Sequence, residues 1–318
     1  MKRILITGIT GFAGSHLAEA LVTNPDNQIF GTYHSPYDEK ESPHLSSIQM
    51  EQVDITSQEN VQRLLEKVKP HEIYHLAGAT SPSESFQNSQ KTLEANIMGE
   101  LYLLESVRKL GLKDTKILLV ISSEVYGKVT RDSLPVSEIT PLLPMNPYAV
   151  SKVTQDFLGL QYFLSDKLPI IRVRPFNHIG PRQSSKFVVS SFAKQLVEIE
   201  KSPEIKGSMH VGNLDVVRDF SDVRDIVKGY TLLMEKGEIG DVYNIGSGRG
   251  VKISHVLEIL KSFVKKEVEV VQDPSLVRSI DVPELVCDAS KIKKLGWTPE
   301  ISLEVSLKDV LDYWRENV

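Results

Sequence analysis

Three glycines spaced three apart, Gly8, Gly11 and Gly14, separate the apolar run Ile4-Leu5-Ile6 from an amphipathic segment over residues 13–23. Within Thr7-Gly8-Ile9-Thr10-Gly11-Phe12-Ala13-Gly14 each glycine has a geometric task. Gly8 permits a tight turn, Gly11 lets a diphosphate approach the backbone, and Gly14 lets helix and strand pack closely. The helix then offers free N–H groups and the positive end of its dipole to phosphate. A glycine trio alone also fits a tight turn without a ligand. Its place inside a strand-turn-helix unit points to dinucleotide binding.

The rest of the first half repeats that alternation. Gln28–Tyr33, Ile73–Leu76, Ile117–Ile121 and Ile170–Val173 read as strands, and Val61–Val68, Leu93–Leu110 and the segment from Tyr148 to about Ser165 read as helices. Short, unalternating apolar strands are buried on both faces, so the expected fold is α/β, a doubly wound parallel sheet of the Rossmann type. Right-handed crossovers place its ligand crevice at the strand carboxyl ends. Beyond residue 175 Pro/Gly/Ser-rich links appear, with helices expected near 187–201, 222–236, 253–265 and 303–316. Val242-Tyr243-Asn244-Ile245 reads as a strand that rejoins the sheet. The expected division is a dinucleotide-binding domain of residues 1–175 and 213–247. Residues 176–212 and 248–318 form a smaller, discontinuous substrate-binding lobe.

A chain of 318 residues can bury a large core. Its net charge of −5 gives no reason to expect nucleic acid or an anionic membrane as partner. The single cysteine, Cys287, excludes an intramolecular disulfide and a thiolate metal cluster, which fits a reducing cytoplasm. No signal peptide or membrane span is expected, because no apolar run is long enough.

Tyr148-Ala-Val-Ser-Lys152 sets a phenol and an ammonium four apart, on one face of a helix. There the cation is expected to stabilise phenolate and lower the tyrosine's pKa from about 10, tuning it for proton exchange near neutral pH. Alone, the pair also fits a solvated helix face. Strand two ends Phe30-Gly31-Thr32-Tyr33-His34-Ser35 with neither carboxylate nor arginine. A carboxylate there would bind the ribose hydroxyl of NAD and repel a 2′-phosphate, so its absence favours NADP(H) over NAD(H). His34 and Ser35 are candidate donors to that phosphate, or solvated loop residues.

Taken together, these segments resemble the extended short-chain dehydrogenase/reductase family, in the branch that modifies nucleotide-diphosphate sugars. The resemblance spans essentially the whole chain. It rests on Thr7–Gly14, Asp54-Ile55, His75-Leu76-Ala77-Gly78-Ala79, Asn96, Ser122-Ser123-Glu124-Val125-Tyr126-Gly127 and Tyr148–Lys152. Further carriers are Arg174-Pro175-Phe176-Asn177-His178-Ile179-Gly180-Pro181, Arg218-Asp219-Phe220, Asp222-Val223-Arg224-Asp225, and Arg278 ahead of Asp281-Val282-Pro283.

The resemblance implies that Asp54 bonds the adenine, with Ile55 beside it. It also implies that Phe12, Ala13, Leu76, Ala77, Gly78, Ala79 and Asn96 belong to the cofactor groove. Tyr148 would be the general acid/base, Lys152 would bind the nicotinamide ribose and tune that tyrosine, and Ser122 would bond the sugar's reacting oxygen. Ser123, Asn177, Arg218 and Arg278 match positions that hold the sugar nucleotide. Guanidinium forks suit a diphosphate, although surface ion pairs also explain arginines beside aspartates. No second histidine stands at ligand spacing from His178, so no metal site is expected.

Within the branch, Phe176–Ser184, Phe187-Val188, Phe192-Ala193-Lys194-Gln195 and Val211–Phe220 are most similar to GDP-4-dehydro-6-deoxy-D-mannose reductases, which form GDP-D-rhamnose. GDP-mannose 4,6-dehydratases share the Asn-His pair and the Ser-Glu-x-Tyr-Gly segment. Glu124 matches the carboxylate that dehydration requires as acid and base, yet a glutamate can also hold a turn or a hydroxyl. Ser122 stands where dehydratases usually carry threonine, and the loop after strand two lacks the paired arginines that resemble their NADP clamp. Reduction is therefore the expected chemistry, with dehydration as the alternative. An NAD-dependent 4-epimerase is a further alternative, and a non-enzymatic dinucleotide sensor would not need Ser122, Tyr148 and Lys152 together. A homodimer is implied by the resemblance, through the helices around Leu93–Leu110 and Tyr148–Ser165. Leu101, Leu104 and Leu158 are candidates for that contact or for packing on the sheet.

Overall fold

The structure, a computed structural model, describes residues 1–36, 42–277 and 282–318, with His44 by its backbone alone. The first half runs β1 (Lys2–Thr7), α1 (Phe12–Val22), β2 (Asn27–Tyr33), β3 (Gln49–Gln52), α2 (Gln58–Val68), β4 (Glu72–His75), α3 (Pro82–Gln87), α4 (Ser89–Leu93), α5 (Gly99–Lys109), β5 (Lys116–Val120), α6 (Pro147–Asp166) and β6 (Ile170–Pro175). The second half runs β7 (Asn177–Ile179), α7 (Val188–Lys201), β8 (Lys206–Val211), β9 (Val217–Asp222), α8 (Val223–Lys236), β10 (Val242–Ile245), β11 (Gly250–Lys252), α9 (Ile253–Ser262), β12 (Glu267–Gln272), β13 (Glu284–Leu285), α10 (Ser290–Lys293) and α11 (Leu303–Asn317).

Among the described residues seven strands form one sheet in the order β10-β6-β5-β4-β1-β2-β3, and every pairing in it is parallel. Every residue of β4 and β6 is buried, as strands covered on both faces must be. Helices α2, α5 and α6 pack as one layer and α1 and α8 as another, so the sheet is doubly wound. Strand order reverses between β1 and β4, which opens a crevice beyond their carboxyl ends. β10 rejoins the sheet beside β6, as its apolar run predicts.

A second core gathers α7, α9 and α11 with β8 and β9, around Phe192, Leu196, Met209, Val256 and Leu311. Here β9 pairs with β7, β11 and β13, and β8 with β12. Leu285, Cys287, Ala289, Ile292 and Trp297 return to the first core, where the Trp297 indole donates to the Asp225 carbonyl at 2.9 Å. The helix expected over Leu93–Leu110 is interrupted. A π-helical turn, Glu94–Met98, links α4 to α5. Such turns displace one residue from the regular register, and Asn96 sits inside this one. No helix among the described residues is long and apolar enough to cross a membrane.

Candidate active site

The turn after β1 has the geometry that its glycines require. Gly8 has φ +69°, and a Cβ there would lie 2.9 Å from Ala77 Cα. A Cβ on Gly14 would stand 2.4 Å from the Gly8 carbonyl oxygen. Gly11 caps α1 without a side chain, and the first helical bond runs from the Ser15 amide to Gly11 O at 2.9 Å. The amides of Phe12, Ala13 and Gly14 therefore have no acceptor within the helix. An open cleft of about 380 Å³ adjoins them, lined by Thr10, Phe12, Ser15, Ser42, Arg182 and Tyr313. These features fit a dinucleotide diphosphate.

The loop after β4 forms the other wall. Thr7 Oγ1 accepts from the amides of Leu76 and Ala77, at 3.2 Å each. Asn96 is buried, its Oδ1 accepts from the Ala79 amide at 2.7 Å, and its Nδ2 donates to Ala79 O at 3.2 Å and Ser151 Oγ at 2.8 Å. With φ +151° and only 2.4 Å from a Cβ position to Asn96 Oδ1, residue 78 must be glycine. Asn96 thus acts on the groove through Gly78-Ala79, its own side chain being committed to protein partners. Ile55 packs under Gly99, where a Cβ would approach its Cδ1 to 2.6 Å.

Asp54 is exposed just beyond β3, and its Oδ1 accepts from the Thr56 amide at 2.8 Å and hydroxyl at 2.6 Å. These bonds hold its carboxyl below the usual range. His34 is exposed, 3.4 Å from Ser35 Oγ, with its carbonyl accepting from Gln52 Nε2 at 2.9 Å.

Tyr148 and Lys152 lie in the first turns of α6, and both are buried. Asn146 starts this helix: its Oδ1 accepts from the Ala149 amide at 2.7 Å, and Pro147 occupies the first helical position. Its Nδ2 donates to Glu124 Oε2 at 3.1 Å. The short turn Ser123–Tyr126 begins at Ser122, which is extended and whose Oγ accepts from the Glu124 amide at 3.2 Å.

Ser122 stands near the Tyr148 hydroxyl and tends to lower the phenol's pKa. Burial is the larger effect, and Glu124 adds to it, so the phenol is pushed up. That corrects the expectation of a lowered value. The Lys152 ammonium lies 5.9 Å from the Tyr148 ring centroid and donates to the Val120 carbonyl at 2.9 Å. Lys152 itself is pushed down to about 8 by burial, with Glu100 opposing the shift.

An open cleft adjoins Glu124 and Asn146 and is lined also by Pro82, Ser83, Phe86, Gly127, Met145, Arg218, Val282 and Leu285. Arg218 reaches it from β9, with one guanidinium nitrogen donating to Val217 O at 2.8 Å. The adjacent Asp219 accepts from the amides of Ser247, Gly248 and Cys287 at 2.9, 2.9 and 3.0 Å, so it anchors the loop after β10. Ser123 is buried inside its turn, and Asn177 is exposed at the start of β7. Arg278 and Asp281 lie outside the described residues.

Asn146, Phe86 and Met145 were not singled out from the sequence, although the Asn-Pro start of α6 carries a helix-cap signal. A buried network behind the site was also missed. Asp156 bonds Arg172 Nη1 and Arg174 Nε at 2.7 Å each, and Arg174 and Asn244 bond the Tyr126 hydroxyl at 2.9 and 2.6 Å. Among the described residues no three His, Cys, Asp or Glu side chains gather as a metal would require.

The comparisons agree with this geometry. The model of the family described as GDP-mannose 4,6 dehydratase matches residues 5–310. GDP-6-deoxy-D-mannose reductase of Pseudomonas aeruginosa is 34% identical over 318 residues, covering 100% of this chain and 98% of its own. GDP-mannose 4,6-dehydratase of Vibrio cholerae is 30% identical, over 95% of this chain and 91% of its own. The solved structure of RMD from Pseudomonas aeruginosa complexed with NADPH superposes with a TM-score of 0.86 at 32% identity, covering 100% of both chains. The chain belongs to the GDP-mannose 4,6-dehydratase family, in the nucleotide-sugar branch of the extended short-chain dehydrogenases/reductases.

Proposed function

We propose that this protein reduces the 4-keto group of GDP-4-dehydro-6-deoxy-D-mannose to give GDP-D-rhamnose. The observation that carries the reading is the Tyr148 phenol, buried and pushed up by that burial at the start of α6, where the preceding Asn146 lines the same cleft as Arg218. A reductase needs an acid that still holds its proton when the ketone arrives, and a raised phenol meets that need. Bound NADPH supplies the hydride that C4 accepts. Tyr148 donates its proton to the developing alkoxide, Ser122 bonds the same oxygen, and the Lys152 ammonium stabilises the phenolate left behind. Gly8, Gly11, Phe12, Ala13 and Gly14 would hold the diphosphate, and Leu76–Ala79 the nicotinamide half. Arg218, Arg278, Ser123 and Asn177 would hold the sugar nucleotide. NADPH is preferred over NADH because the end of β2 presents His34 and Ser35 in place of a carboxylate.

A second reading, GDP-mannose 4,6-dehydration, is favoured by one observation: Glu124 lines the same cavity as Arg218. The two are separated by incubating the protein with GDP-mannose alone and then with the 4-keto sugar plus NADPH. Reduction of the keto sugar, with GDP-mannose untouched, is the expected result.

The reading includes a homodimer. Leu104 is wholly buried and Leu101 and Leu158 pack against the first core, whereas Val150, Phe157 and Leu164 of α6 are exposed at 43%, 55% and 57%. Those three form the apolar stripe that a second α6 would cover.

A further inference from the structure

Helix α5 carries a carboxyl that the chemistry above does not use. Glu100 has no solvent exposure, and neither of its carboxyl oxygens has a hydrogen-bond partner among the described residues. Ionising a carboxyl buried in this way is costly unless opposite charge stands near it. Its neighbours provide that charge. Glu100 follows Asn96 by four residues, and Asn96 is tied to Ser151 of α6 at 2.8 Å. Lys152 and Gln155 come next on that helix, so the register of the two helices directs Glu100 toward them.

Each element packed around Glu100 contributes differently. From α6, Lys152 and Asp156 act on it, with the Gln155 amide against it, and from β6 Arg172 does so. From β4, His75 faces Lys152, with its Nε2 buried and unpartnered. Burial pushes His75 down to about 3, so it is uncharged at neutral pH. The residues buried from α2 are the apolar Val61, Leu64, Leu65 and Val68. Lys152 spends one donor on Val120 O at 2.9 Å, which leaves ammonium hydrogens for other acceptors.

We propose that Glu100 is a positioning residue, a buried carboxyl set behind Lys152 that keeps this side chain an ammonium while Tyr148 gives up its proton. The proposal rests on the reading of Tyr148 and Lys152 as the proton-transfer pair. Electrostatics point the same way from both partners. Burial is the larger influence on the carboxyl and pushes it well above its usual range, with Lys152 pulling it back down, while burial pushes the ammonium down and Glu100 pulls it up.

The test follows the Lys152 Nζ directly by NMR of nitrogen-labelled lysine, with Lys152→Met identifying its signal. The unaltered protein is expected to titrate near pH 8. In Glu100→Gln the midpoint falls by about one pH unit, since removing an opposite charge at close range has effects of that size. An unchanged midpoint overturns the proposal. Should Glu100→Gln fail to fold, the Glu100 carboxyl is followed instead in the unaltered protein and in Lys152→Met. Its midpoint then rises by about one unit if the two groups interact, and an unchanged midpoint again overturns the proposal. Substrate enters neither titration. A mistaken choice of reaction would therefore show only in the product assay, separate from the fate of Glu100.

Discussion

Asn96 and Ser151 are joined by a 2.8 Å hydrogen bond between side chains that are both fully buried. Ser151 in turn donates to the Tyr148 carbonyl at 2.7 Å, while Asn96 pairs with both backbone groups of Ala79. The loop after β4 and helix α6, which carries Tyr148, are thereby one mechanical unit.

Asn96→Ala should cost about 1–3 kcal/mol, because the Ala79 amide and the Ser151 hydroxyl lose buried partners. Urea unfolding measures the loss, and NADPH titration should show weaker binding at the same time. Unchanged NADPH affinity in the folded variant would show that Gly78-Ala79 is positioned without Asn96.

Tyr148→Phe removes the proposed proton donor and little else. General acid catalysis by one group is worth about 10²–10⁴-fold, and kcat should fall by that factor while NADPH affinity is kept. Equal loss of turnover and of NADPH binding would assign the phenol to the groove wall instead.

Glu124→Gln keeps an acceptor for Asn146 Nδ2, which the glutamate now engages at 3.1 Å. Reduction uses no charge at this position, so kcat with the keto sugar should stay within about fivefold. A loss of about 10²–10⁴-fold would return Glu124 to the acid/base role that dehydration needs.

His75 gives the fold a pH dependence with a definite sign. Burial, helped by Lys152, depresses it from 6.5 to about 3, so the native state keeps it neutral where the unfolded chain takes up a proton. Its stabilising contribution is complete above 6.5 and is lost as pH falls toward 3, at up to about 1.4 kcal/mol per unit. Urea midpoints measured between about pH 7 and pH 5 should decline less steeply in His75→Asn than in the unaltered protein. Parallel declines would exclude His75 as a source.

The interior of the large sheet was readable because β1 and β5 hold unbroken apolar runs, Ile4-Leu5-Ile6 and Ile117–Val120, and β4 and β6 hold shorter ones, Ile73-Tyr74 and Ile170-Ile171, at the expected alternation with helices. Edges and small sheets were not. β3 is Gln-Met-Glu-Gln, a polar edge strand, and β7, β11 and β13 are only two or three residues long. They form because the chain is already held nearby, and no local pattern announces that. In the site, Gly8 and Gly14 were readable because their requirement is local, as was the Tyr148–Lys152 spacing. The ionisation of Tyr148 was not, since depth in the protein reverses the sign that the spacing implies. Glu100 stayed hidden for a related reason. On sequence it is one polar residue in a helix, and only the packing of α5 on α6 brings it to Lys152.

The most direct measurement is to supply NADPH deuterated at the transferring carbon together with the GDP-linked 4-keto sugar, and to locate the label by NMR. The account predicts deuterium at C4 of a GDP-6-deoxyhexose and one NADPH consumed per sugar. Turnover of GDP-mannose with no net NADPH oxidation would contradict it.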